Sequence, residues 1–78
     1  MDMFELNHLL QFYAHEYPGM VFDTIYDPLF MTLKGRIIYK SVQKKFTVFV
    51  SNGEEKAAIQ HVHTIILDVL SEVGREHA

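Results

Sequence analysis

Residues 29–42 read LFMTLKGRIIYKSV, and the division of this stretch decides how many strands the chain contains. It reads either as one long strand bent at Gly35 or as two strands joined by a tight turn at Lys34-Gly35. Gly accepts the positive φ that such turns need, so the preferred reading is two strands. A further turn is expected around Gln43-Lys44. Beyond it KFTVFVS, residues 45–51, alternates Phe46, Val48 and Val50 on one face with Thr47, Phe49 and Ser51 on the other. On the N-terminal side, MVFDTIYDP, residues 20–28, is rich in β-branched and aromatic residues. It predicts a strand from about Met20 to Tyr26, closed by the turn dipeptide Asp27-Pro28. The short connections make neighbouring strands antiparallel.

A helical pattern flanks this region on each side. From Asp2 to Glu16, Met3, Leu6, Leu9, Leu10, Tyr13, Ala14 and Tyr17 recur at steps of three and four, which is one buried stripe, and Pro18-Gly19 stops it. Near the other end, Asn52 is placed as an N-cap with Glu55 three residues on to reach back to it. The stripe Ile59, Val62, Ile65, Ile66, Val69, Leu70 and Val73 follows, with Gly74 as the expected stop. The predicted architecture is α+β. An N-terminal helix, an antiparallel meander of three or four strands and a C-terminal helix form one small domain over residues 1–78, with both helices packed on one face of the sheet.

Composition narrows the chemistry. At 78 residues the core is near the lower end of what holds together without staples, and the absence of Cys excludes disulfides, thiolate catalysis and Cys-based zinc sites. A net charge of -3 argues against general phosphate binding, no apolar run is long enough to span a bilayer, and the acidic start MDMFE does not resemble a signal peptide. A cytoplasmic protein is expected. Size and composition are those of many small accessory proteins of bacteria and phages, but no motif turns that into a family.

The strands carry apolar residues on both sides, in the pairs Val21 and Phe22, Phe30 and Leu33, Ile37 and Ile38, Val48 and Phe49. An apolar second face in so small a domain points to a homodimer or a protein partner. On the first helix the stripe leaves Phe4, His8, Gln11, Phe12 and His15 on the opposite side, with Phe4, His8 and Phe12 at i, i+4 steps. The candidate protein-binding residues are therefore Phe4, His8, Phe12, His15 and Phe49, the two helix phenylalanines serving as anchors.

Lys34, Arg36, Lys40, Lys44 and Lys45, interleaved with Tyr39, are the alternative. Cations and aromatics on a sheet hold single-stranded nucleic acid by phosphate contact and stacking. In a net acidic chain such residues more often keep an edge strand soluble. His61 and His63 are two apart in AAIQHVHTII, residues 57–66. On a helix that spacing turns them about 200° from each other, so they cannot share one ion. They read as the borders of the buried stripe. Asp23 and Asp27 share a strand face, where solvation is the ordinary role. Catalytic motifs are absent, so no enzyme activity, cofactor or metal is expected.

Overall fold

In the computed structural model, which describes residues 3–76, Gly35 lies in the middle of a single strand, β2 (Thr32–Tyr39). This corrects the division into two strands at Lys34-Gly35, and the reason is packing. A Cβ at Gly35 would stand 2.5 Å from Cζ of Phe46 and 2.8 Å from the carbonyl oxygen of Asp23. The glycine therefore makes room for the ring of its cross-strand partner rather than for a turn. The positive φ angles fall instead on Met31, at 49°, and Lys40, at 54°. Lys40-Ser41 is the two-residue link from β2 to β3 (Val42–Phe49), with Tyr39 paired to Val42. The turn expected at Gln43-Lys44 comes earlier than that, and both residues lie inside β3.

β1 (Val21–Asp27) pairs antiparallel with β2, and β2 antiparallel with β3, so the three-stranded sheet has the order β1-β2-β3. The strand expected from Met20 begins one residue later, and Met20 is a buried core residue beside it. The connection between β1 and β2 is tied at both ends. Asp27 Oδ1 accepts the Leu29 N–H at 3.0 Å, and the Thr32 hydroxyl donates to the Phe30 carbonyl at 2.8 Å. Partnered residues share a face. One face therefore carries Phe22, Thr24, Tyr26, Leu33, Gly35, Ile37, Tyr39, Phe46 and Val48, and the other carries Val21, Asp23, Ile25, Lys34, Arg36, Ile38, Lys45, Thr47 and Phe49. The alternation expected over residues 45–51 holds.

The first face is the inner one. Both helices, α1 (Phe4–Glu16) and α2 (Glu55–Glu76), pack on it, with α2 lying against β3 and β2 and α1 beside α2. Leu6 and Leu10 of α1 close over the same core as Leu33, Ile37, Val62, Ile66 and Val69, all buried. α1 ends in a turn, Tyr17 to Met20, in which Gly19 takes a φ of 94° and the Met20 N–H donates to the Tyr17 carbonyl. Asp2, expected in this helix, lies outside the described residues. Ala14, expected in the buried stripe, is exposed.

α2 differs from expectation at both ends. Asn52 lies in a turn that brings the Glu54 N–H to the Ser51 carbonyl, and the first helical carbonyl bond runs from Ala58 N–H to Glu54. The chain therefore enters the helix after Gly53, whose φ of 77° makes the turn, and not at Asn52. Gly74 does not stop the helix, which runs on to Glu76, where the carboxylate accepts from the Ser41 hydroxyl in the β2–β3 turn. That contact supplies a reason for the helix to continue. Among the described residues no helix is long and apolar enough to cross a membrane.

Candidate functional site

The outer face of the sheet is built by the pairing just described. Across the three strands run the rows Val21–Ile38–Gln43, Asp23–Arg36–Lys45, Ile25–Lys34–Thr47 and Asp27–Thr32–Phe49. No helix covers them. Ile25 is 67% exposed and Phe49 71%, and beside them the β1–β2 loop leaves Leu29 81% exposed, with Phe30 also largely in solvent. Leaving so many large apolar groups in water costs about 1.5–3 kcal/mol each relative to full burial. Arg36 reaches back to Asp23, Nη2 to Oδ2, at 3.2 Å, and this exposed pair contributes little by itself. Lys34 and Lys45 also stand on this face.

A second apolar surface lies on α1. Phe4 is 72% exposed and stacks on His8 with ring centroids 6.4 Å apart. Phe12 is exposed too, with its ring edge-on to Tyr13. His15 is exposed at the end of the same helix. The i, i+4 spacing thus places Phe4, His8 and Phe12 outward as expected, while Phe49 belongs to a different surface on the far side of the sheet.

Five of the six candidate nucleic-acid residues are divided between the two faces, and Lys40 lies in the β2–β3 turn. Lys34, Arg36 and Lys45 point outward, whereas Tyr39 and Lys44 are on the helix side. Tyr39 packs edge-on against Tyr17 at 5.9 Å, and Lys40 Nζ lies 5.5 Å from its ring centroid. Lys44 Nζ is 2.7 Å from Glu72 Oε1. The hydrogen bond and charge of Glu72, with a smaller contribution from Asp68, hold the Lys44 pKa above its ordinary value. The stacking residue of this set is therefore turned away from three of its cations.

His61 and His63 diverge as the helical spacing requires: His61 is exposed and His63 half-buried. His63 Nε2 is hydrogen-bonded to the Tyr13 hydroxyl at 2.6 Å, which ties α2 to α1. Nothing in the spacing of either helix foretells this contact. Asp23 and Asp27 share the outer face, one paired with Arg36 and the other bonded to its own loop. Among the described residues no three His, Asp or Glu side chains are grouped to hold a metal ion. A shallow cleft of about 220 Å³ lies where the helices begin, lined by Glu5, Glu55, Lys56 and Ile59.

Two features of the outer surface escaped the sequence reading. Leu29, in the β1–β2 loop, and Ile25, in β1, join this surface beyond the residues expected from the sequence. The alternation of Val21, Asp23, Ile25 and Asp27 was the available signal for the second. No family model, no curated protein and no solved structure matches this chain.

Proposed function

We propose that this protein is a small non-enzymatic interaction module of the cytoplasm, an adaptor or regulator that docks on another protein and also self-associates. The observation that carries this reading is the outer face of the sheet. There Val21, Ile25 and Phe49 stand exposed beside Leu29 and Phe30, on a scaffold whose opposite face already holds its core. Several large apolar groups left exposed on one face support an association site. Lys34 and Lys45 interrupt it, so the complementary partner surface is apolar with acidic side chains at matching positions. Phe4 and Phe12, with His8 and His15, form a second docking face on α1.

Single-stranded nucleic acid is the rival occupant, through Lys34, Arg36, Tyr39, Lys40, Lys44 and Lys45. The division of these residues between faces favours a protein. Cross-linking in the native host, comparing wild type with Phe49→Asp and Phe12→Asp, tests the reading. The expected result is a discrete partner lost on one or both substitutions while circular dichroism is unchanged. Partners retained by both folded variants sink the proposal, and salt-dependent binding of an oligonucleotide in fluorescence anisotropy transfers it to the rival.

A further inference from the structure

β1 and β3 are the two edges of the sheet, and they are unequally defended. An edge presents unpaired N–H and C=O groups to any other strand, and lysines, prolines or bulges are the usual protection. β3 carries Lys44 and Lys45 in its centre. β1, VFDTIYD, carries no Lys, Arg, Pro or Gly. Its side chains are also incompletely covered on both faces. Val21 and Ile25 are exposed on the outer side, and Phe22, Thr24 and Tyr26 are only half-buried on the inner side, where the neighbouring Leu33 and Ile37 are fully buried.

Helix placement explains the difference. α2 lies over β3 and β2, and α1, which leads through the Tyr17–Met20 turn into β1, packs beside α2. Tyr13 faces α2 through His63, and Glu5 shares a cleft with Glu55 and Ile59 of α2. On a helix of 3.6 residues per turn, Asn7 and Ala14 then fall on the flank away from α2. Both are exposed and short, so this flank of α1 carries no large side chain.

We infer that β1 is the pairing edge for a second copy of this chain. Two β1 strands run antiparallel about a two-fold axis at Thr24, and the two sheets become one sheet of six strands. The inference rests on the self-association part of the proposed function and goes beyond it by naming the edge and the register. Thr24 is the middle residue of β1, so this register pairs the whole strand. It sets Phe22 opposite Tyr26 of the second copy, twice, on the inner face, with the two Thr24 residues between them. Such aromatic cross-strand pairs are favourable.

Charge separates this edge from the other. Asp23 and Asp27 lie beside Arg36 and Lys34 of the adjacent strand, so β1 with β2 meets its copy as a nearly balanced ribbon. β3 itself carries Lys44, paired with Glu72, and Lys45, and no Asp or Glu, so pairing β3 with β3 would bring lysines together with no carboxylate on either strand. Pairing β1 with β3 is head-to-tail and does not close by a two-fold axis, whereas β1 with β1 does.

The chain has no cysteine, which makes the test direct. Residues directly opposite in an antiparallel pair have Cβ atoms about 4.5–5.5 Å apart, close to what a disulfide needs. Thr24→Cys is expected to cross-link to a covalent dimer under mild oxidation at least tenfold faster than Thr47→Cys on β3. In sedimentation across a concentration series, wild type is expected to dimerise. Ile25→Asp, at an exposed position that this register sets opposite Asp23 of the second copy, should weaken the dimer at least tenfold with unchanged circular dichroism, and Phe49→Asp should leave it intact. A wild-type monomer at every concentration overturns the inference, as does growth into larger species. A dimer broken by Phe49→Asp but not by Ile25→Asp also overturns it, while leaving self-association through the outer face standing.

Discussion

The two faces of one sheet carry different obligations. On the inner face, Leu33, Ile37, Phe46 and Val48 meet helix side chains and are buried. On the outer face, Val21, Ile25 and Phe49 alternate with Asp23, Lys34, Arg36 and Lys45 and meet no part of the described chain's core. The backbone treats the two faces alike, so the difference comes from side chains. It teaches that apolar residues at strand positions serve two ends here, stability inside and contact outside, and that substitution separates them.

The sharpest contrast is a truncation inside. Leu33→Ala is expected to cost about 2–5 kcal/mol in chemical denaturation, because it removes a fully buried side chain and leaves a cavity. A loss comparable to that of an exposed residue would mean that the inner face is not the core. Next comes overfilling the same face. Gly35→Ala drives a Cβ into Phe46 and the Asp23 carbonyl, at an expected cost of about 1–3 kcal/mol. Adding Phe46→Leu, which takes away the nearest ring atoms, should make the two effects non-additive in a double-mutant cycle. A smaller effect tests how α1 is held: Tyr13→Phe deletes the hydroxyl bonded to His63 and should lose about 1 kcal/mol.

On the outer face the expected loss is smaller still. Phe49→Ser should change stability by no more than about 0.5 kcal/mol, and a large loss would show that the outer face helps to hold the fold. The Lys44–Glu72 pair, between β3 and α2 on the helix side of the sheet, gives the smallest effect at neutral pH. Glu72 raises the folded pKa of Lys44 above the ordinary 10.5, so the pair's contribution is fully present below that value and is lost as pH rises through the folded pKa. Wild type and Glu72→Gln should therefore differ slightly at neutral pH and converge in the alkaline range, as followed by thermal unfolding at several pH values.

Much of this arrangement was legible in the sequence, because amphipathic periods are local. The stripes of both helices, the alternation of residues 45–51 and the outward placement of Phe4, His8 and Phe12 follow from spacing alone. What was not legible depended on contacts from elsewhere in the chain. Gly35 resembles a turn glycine until Phe46 is placed against it, and Lys40 gives no sign that it will take a positive φ. Gly74 resembles a helix stop until Ser41 is found to meet Glu76 beyond it. The candidate cations likewise occupy one stretch of sequence, but the two-residue period of a strand sends them to opposite faces.

Gly35 has one further consequence, for how the strands find their alignment. A slip of one residue between β2 and β3 would exchange inside for outside and expose the core, so hydrophobic patterning alone forbids it. A slip of two residues preserves both faces, and patterning is blind to it. Phe46 would then lie opposite Leu33 or Ile37 instead of Gly35, and its ring would meet a branched side chain where the native pairing leaves a gap. The glycine and the phenylalanine thus work as a notch and a key that reject the wrong alignments of the hairpin.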